Sequence, residues 1–225
     1  CTSPFVDPHP GITVKRVDKG LVSNYLNDQI RPGKTVNIMK PLGNFTLDFH
    51  SKNARQLVMI AGGSGITPIM GIAKSLLINE PQSKVSLLFY SRSEEGIIFK
   101  KALENLEEQY GPRFQVTHQL SKPSASWTGA KGRLNHTLLN NYFDSVIDKQ
   151  LDSTHFFLCG PEGMMEIALD LLAERKENPD RIHKESFYTD LEAKEKSMQA
   201  SGQLAPALTR DIEIVLEGKP HHFDV

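Results

Sequence analysis

Three short strings hold residues suited to a phosphorylated ligand. In "AGGSGITP", Gly62, Gly63 and Gly65 follow an apolar run, and residues without side chains let backbone amides close on an anion. Thr67 and Pro68 suit the opening of a helix, Thr67 as its cap and Pro68 because the amide it lacks would go unpaired there. "YSRS" supplies Ser91 and Arg92, a hydroxyl beside a guanidinium whose paired donors match a ribose 2'-phosphate or its hydroxyls. "CGPEGMM" supplies Cys159, Gly160, Pro161, Glu162 and Met164 after a further apolar run. Plainer readings stand beside these: a tight turn, a solvated arginine, and a small buried hydrophobe in Cys159. One glycine-rich turn is weak evidence, so the question is what scaffold brings the three together.

That scaffold is legible as alternation. From Gln56 onward the apolar strings "QLVMIA", "KVSLLFY", "FQVTHQL" and "THFFLC", with a last strand over residues 182–187, predict strands. Amphipathic stretches over residues 68–78, 97–110, 134–142 and 164–175 predict the intervening helices. The pattern predicts an α/β fold, a Rossmann-like parallel sheet with helices on both faces. All three strings then fall at carboxyl ends of strands, where such sheets bind ligands.

Residues 11–49 read differently. "GITVKRV", "KTVNIMK" and "NFTLDF" around the helical "LVSNYLNDQI" predict part of an antiparallel β-barrel preceding the sheet. "DIEIVLEGKPHHFDV" predicts a hairpin about Gly218 and Lys219, whose neighbouring His221 and His222 would face opposite sides of a strand and so make no metal site. The expected division is residues 1–53 in the barrel, 54–189 in the nucleotide domain, 190–210 as a linker, and 211–225 as the start of a further domain.

Composition narrows the function classes. A formal net charge of -1 argues against bulk binding to nucleic acid. Residues 56–73 carry no charge over 18 positions, but Ser64, Thr67, Pro68 and the glycines divide them into strand, turn and helix rather than a membrane span. Two cysteines, Cys1 and Cys159, make no disulfide framework, which points to a reducing, cytoplasmic setting. Trp127 covers the sheet's edge or stacks on an adenine. Gly132 and Arg133 beyond it could approach a nucleotide.

In this order and at these separations, "AGGSGITP", "YSRS", "CGPEGMM" and the late "KESFY" resemble the pyridine-nucleotide domain of the ferredoxin-NADP reductase family. "VKRVDKGLVSNYL" and "PGKTVNIMKPLGNFTL" are similar to the second half of that family's flavin-binding barrel, and the final hairpin resembles the start of a plant-type 2Fe-2S ferredoxin domain. The whole resembles the three-module electron-transfer components of multicomponent oxygenases, of the phenylacetyl-CoA oxygenase reductase type.

The resemblance implies hydride transfer from NADPH, or NADH, to FAD, and single electrons passed through a 2Fe-2S centre to an oxygenase component or another acceptor protein. It implies that Thr67, Cys159 and Glu185 lie at the reacting rings, with Cys159 packing and orienting rather than attacking. Phe187 or Tyr188 would shield the flavin face. Gly20, Leu21, Val22 and Ser23 would meet the flavin pyrophosphate, and Val14 and Lys15 its adenosine end. The plainer readings are a Ser-capped helix for "GLVSNYL" and a last strand with its exit for "ESFYT". The resemblance places a flavin-stacking Arg-x-Tyr-Ser string before Cys1 and the cluster cysteines after Val225, so it implies no cluster in this chain. A nucleotide-binding module without catalysis is the alternative. A non-redox dinucleotide enzyme would need a second substrate pocket, which no residues suggest.

Overall fold

A computed structural model describes residues 1–38, 42–151 and 153–187, together with the backbone of residues 211–216 and 219–224. The predicted alternation is realised as one parallel sheet. Its strands are β1 (Arg55–Gly62), β2 (Lys84–Ser91), β3 (Phe114–Leu120), β4 (Ala130–Lys131), β5 (Ser153–Cys159) and β6 (Ile182–Glu185), in the order β4-β3-β2-β1-β5-β6. β1 is buried at every residue after Arg55, as a central strand covered on both faces must be.

Alternation along β1 divides the core in two. Leu57, Met59 and Ala61 pack with α2 (Ile66–Asn79) and α3 (Lys100–Tyr110), whereas Val58 and Ile60 pack with α4 (His136–Val146) and α5 (Glu162–Glu174). The uncharged stretch over residues 56–73 is therefore β1, a single 3-10 turn and α2. No helix among the described residues is long and apolar enough to cross a membrane.

Boundaries moved where local chemistry overrode periodicity. The helix expected over residues 97–110 begins only at Lys100, because Phe99 before it adopts a left-handed backbone, φ 62°. The last strand stops at Glu185 rather than running to Phe187. β4 was not expected at all: its two residues are exposed and carry no apolar run.

The barrel segments differ most. Among the described residues of 1–53 the one regular element is α1 (Leu21–Gln29); "GITVKRV" and "NFTLDF" form no strand. A strand exists only when a neighbour takes up its amides and carbonyls, and these segments find no such neighbour among the described residues. Residues 1–13 and 44–53 instead join the sheet's compact unit. Phe45 meets the Phe157 ring edge-on at 5.2 Å, and Lys74 of α2 pairs with Asp7 at 3.0 Å. Residues 14–43 fall outside that unit. So does the predicted hairpin, formed by β7 (Asp211–Leu216) and β8 (Lys219–Asp224) in antiparallel pairing.

A polar network closes the amino ends of the strands. Glu80, fully buried, receives Arg55 at 2.7 Å, the Ser83 hydroxyl at 2.7 Å, the Asn53 amide at 2.8 Å and the His50 backbone amide at 3.2 Å. Burial opposes its ionisation, but these donors outweigh burial and hold its carboxyl below the usual range. Arg113 donates to the carbonyls of Leu77, Glu80 and Ser83.

Candidate functional site

The opposite edge is built from strand exits that end level. Register sets Ala61 beside Phe89 on one flank and Cys159 on the other, and Gly62 beside Tyr90. Successive connections run outward from β1 through β2, β3 and β4, while β5 and β6 lie on its other side, so β1 and β5 flank the point where the winding reverses. Crevices form at such points. Gly63 turns the chain with φ 54°, a left-handed backbone suited to glycine. A Cβ on Gly65 would lie 2.0 Å from the Cys159 carbonyl oxygen, so the β1 and β5 exits are in direct contact. Met164 covers the outside of that contact, against Gly62 and Gly160.

Two helices start at this contact. α2 has Gly65 at its N-cap and α5 has Pro161, and neither receives a side-chain cap; in α2 the Ile66 amide is taken by the Gly63 and Ser64 carbonyls, whereas the Glu162 and Gly163 amides of α5 have no intrahelical acceptor and are open to an anion. Thr67 is not the cap that was expected. The helix starts two residues earlier than expected, at Ile66, and the Thr67 hydroxyl donates to the Ser64 carbonyl at 2.9 Å. Pro68, third in the helix, lacks an amide where none would be paired. Glu162 is acidic and exposed in the first turn of α5; its amide, rather than its carboxylate, suits an anion.

A cavity of about 770 Å³ opens among these exits. Gly63, Pro161 and Gly163 form its inner end, Tyr90, Leu134, Met164 and Ile167 its apolar walls, and Ser91, Arg92, Ser121, Lys122 and Arg133 its polar rim. Ser91 is 4% exposed, and its hydroxyl has no hydrogen-bond partner. A buried hydroxyl left unpaired costs about 1–3 kcal/mol. Volume, apolar walls and converging polar groups fit a nucleotide. The structure thus brings Gly63, Ser91, Arg92, Pro161 and Met164 into one cavity; Gly62, Gly65, Thr67, Pro68, Cys159, Gly160, Glu162, Glu185 and Phe187 do not line it. Sequence reasoning missed Lys122, although it follows β3 as Arg92 follows β2.

Cys159 and Glu185 lie side by side across β5 and β6. Burial first, and then the neighbouring Glu185, push the Cys159 thiol up to about 12, so it holds its proton at neutral pH. Burial also raises Glu185 above the usual carboxylate range. Phe187 lies two residues beyond β6 and is 54% exposed, and Tyr188 lies outside the described residues.

The residues expected to hold a flavin form a group of their own around α1. Gly20 is its N-cap, and Leu21, Val22 and Ser23 present first-turn amides without intrahelical acceptors. Two groups are engaged locally: the Gly20 amide donates to the Val17 carbonyl at 3.0 Å, and the Ser23 hydroxyl accepts from the Val17 amide at 3.1 Å. The hydroxyl retains its own hydrogen for a ligand. Val14 is half-buried and Lys15 exposed.

Fold and strand-exit geometry define a dinucleotide-binding α/β domain, and comparison with known proteins agrees. Residues 59–170 match the oxidoreductase NAD-binding domain family. The ferredoxin reductase component of 3-ketosteroid-9-alpha-monooxygenase from Mycobacterium tuberculosis (strain CDC 1551 / Oshkosh) is 36% identical over 231 residues, 98% of this chain and 57% of that protein. A subunit of the 1,2-phenylacetyl-CoA epoxidase from Escherichia coli (strain K12) is 31% identical over 209 residues, 91% of this chain and 58% of that protein. Among solved structures, the CS-b5R domains of human Ncb5or in the NAD+ form are similar with a TM-score of 0.68 and 29% identity, covering 76% of this chain and 47% of that one. The chain belongs to the ferredoxin-NADP reductase family through this nucleotide domain. It spans a little over half the length of these two curated relatives.

Proposed function

We propose that the protein is an NAD(P)H-dependent flavoprotein reductase that passes electrons from NAD(P)H through FAD to a 2Fe-2S centre and on to an oxygenase component. The observation that carries the reading is one cavity whose inner end is formed by Gly63 and the uncapped start of α5 and whose rim carries Arg92, Lys122 and Arg133. The names of the two curated relatives, both parts of oxygenase or epoxidase systems, support the direction of electron flow.

Together, NAD(P)H and FAD supply hydride transfer and its conversion into single-electron steps. In this reading the amides at the starts of α2 and α5 hold the dinucleotide's pyrophosphate. Tyr90, Leu134 and Ile167 flank its adenine. Thr67, Cys159 and Glu185 take the nicotinamide end. There the buried, protonated Cys159 thiol fixes the ring's distance and excludes water, which favours orientation over diffusive encounter. Glu185, raised by burial, keeps its carboxyl proton to higher pH than a solvated glutamate. Leu21, Val22 and Ser23 would meet the FAD pyrophosphate through their amides. Two cysteines cannot supply the four thiolates of a plant-type cluster, so the 2Fe-2S centre is not held by this sequence alone.

Calorimetric titration of the chain with NADP+ and NAD+, alongside a Ser91→Ala variant, tests the core of the proposal. Saturable binding weakened in the variant is expected; failure to bind either dinucleotide would refute it. Absorbance tests the flavin: a yellow protein bleached by NAD(P)H is expected, whereas a colourless chain that still binds nucleotide would favour a non-catalytic module.

A further inference from the structure

The parallel sheet ends at two edges that are protected in different ways. β6, on one side, is four residues long and carries Lys184 and Glu185; β4, on the other, is two residues long and carries Lys131. Short, charged edge strands resist pairing with another chain. β4 pairs only with Gln119 and Leu120, however, so residues 114–118 of β3 have β2 on one side and no strand of the sheet on the other. "FQVTH" is therefore an edge in its own right.

That edge lacks protection of its own. Phe114–Leu120 contains no lysine, arginine, acidic residue, proline or glycine, and Phe114, Val116 and Thr117 favour extended backbone. His118, lowered first by burial, is uncharged at pH 7. Uncharged strings of this length and kind pair readily with copies of themselves. Gln115 and Thr117 stand exposed. Alternate residues of a parallel strand turn their backbone groups to opposite sides. The Ser121 amide bonds the Ser91 carbonyl on the β2 side and the Leu120 carbonyl accepts from Gly132 on the β4 side, so Phe114, Val116 and His118 face outward with Leu120.

The preceding helix closes this edge. The Glu107 carboxylate of α3 accepts from the outward Val116 amide at 2.8 Å, and the Phe114 amide donates to the Gly111 carbonyl in the intervening turn. Glu107 is half-buried and makes no ion pair among the described residues, so its carboxylate is committed to the strand. We infer that Glu107 stands in for a missing neighbour strand and holds shut a strand-addition site at residues 114–118, whose partner, once the site opens, is the same strand of a second copy of this chain. Two such edges would run antiparallel about a twofold axis, each supplying acceptors to the other. None of these residues lines the dinucleotide cavity, so the edge stands or falls apart from that reading.

The test uses the whole chain. In Glu107→Ala, at a concentration where it is monomeric, hydrogen exchange at the Val116 amide should rise at least about tenfold, because a bond to a charged acceptor is lost. At higher concentrations sedimentation velocity should show a dimer whose share exceeds that of wild type and grows with concentration. Glu108→Ala, exposed on the same helix, should match wild type in both readings. Adding Thr117→Lys to Glu107→Ala charges the edge and should return the dimer share to the wild-type level while Val116 exchange stays fast. Should circular dichroism show Glu107→Ala unfolded, Glu107→Gln, which keeps an acceptor oxygen without its charge, should show the same two changes at smaller size. Unchanged Val116 exchange, association no greater than wild type, or association that Thr117→Lys leaves in place would each overturn the inference.

Discussion

Gly65→Ala is the sharpest perturbation the strand-exit contact allows. The added methyl would sit 2.0 Å from the Cys159 carbonyl oxygen, 2.5 Å from its carbon and 2.9 Å from the Gly160 nitrogen. Comfortable contact lies near 3.5 Å, so the two exits must separate by more than about 1 Å. The obstacle is backbone, and β5 is locked into ladders with β1 on one side and β6 on the other, so no rotamer change relieves it. Overpacking costs about 1–3 kcal/mol in general, and a backbone obstacle places this case near 3 kcal/mol, about a hundredfold in the folding constant. Gly163→Ala is the control. The same methyl on the first turn of α5 meets nothing within 4 Å, and helix propensity favours it by about 0.5–1 kcal/mol. Urea denaturation of the two variants should therefore move in opposite directions, with unchanged m-values. Gly65→Ala should also weaken dinucleotide binding under conditions where it is folded, because the parted exits no longer present both helix starts to one pyrophosphate. A Gly65→Ala chain as stable as wild type would show that the exits do not touch, and the site built on that contact would fall with it.

Three further outcomes follow from other parts of the molecule. Glu80→Ala leaves Arg55, 11% exposed, without its carboxylate and should cost about 3 kcal/mol in urea denaturation; because the Glu80 carboxyl lies below the usual range, its contribution is present above the ordinary glutamate pKa and is lost as pH falls through the depressed value. His155 is held down to about 4, by burial first, then by Arg55, His183 and Arg181; its ring nitrogen lies 3.2 Å from that of His183. The unfolded chain takes up that proton near 6.5 and the folded chain does not, so stability should fall between those values as pH drops, and His155→Gln should flatten the fall. An unchanged profile would remove the histidine pair from the account. With its thiol raised to about 12 and fully buried, Cys159 should resist a disulfide reagent at pH 8 in the native chain and react on unfolding, while the partly exposed Cys1 reacts in both; two fast-reacting thiols in the native state would contradict the packing role.

What could be read in advance follows from how each element is stabilised. The parallel sheet was legible because strands buried on both faces must be apolar throughout, as "QLVMIA" and "FFLC" are, and because the helices between them carry a helical period. The barrel strands were not, because "GITVKRV" alternates like a strand yet a strand is completed only by its neighbour, which a local pattern does not reveal. The cavity was legible only in part. Ser91 and Pro161 stand at the ends of obvious strands, but Lys122 sits in the ordinary loop string "SKPS", and Arg133 follows a two-residue strand that nothing local announces. Their meaning comes from register: only when Ser91 is paired with Leu120, and Leu120 with Lys131, do three distant cations fall in one row.

The two edges of the sheet satisfy their polar groups in opposite ways, and this contrast locates function independently of any motif. At the amino edge, Glu80, Ser83, Arg113 and Gln56 are saturated: Gln56 alone bonds Ser86, the Val146 carbonyl and the Asp148 amide. At the carboxyl edge, Ser91 is buried with an idle hydroxyl, three cations lack counter-charges among the described residues, and two helices begin without side-chain caps. A sequence selected for stability alone would have closed both edges alike, since a threonine or asparagine cap contributes about 1 kcal/mol and a paired hydroxyl costs nothing. The cluster of unpaired cations and an uncapped helix start around one cavity marks the carboxyl edge as the place where a ligand completes the structure. If dinucleotide bound to the chain left the unfolding midpoint unmoved at saturating concentration, that completion would be absent, because any ligand that satisfies groups only in the folded state must raise it.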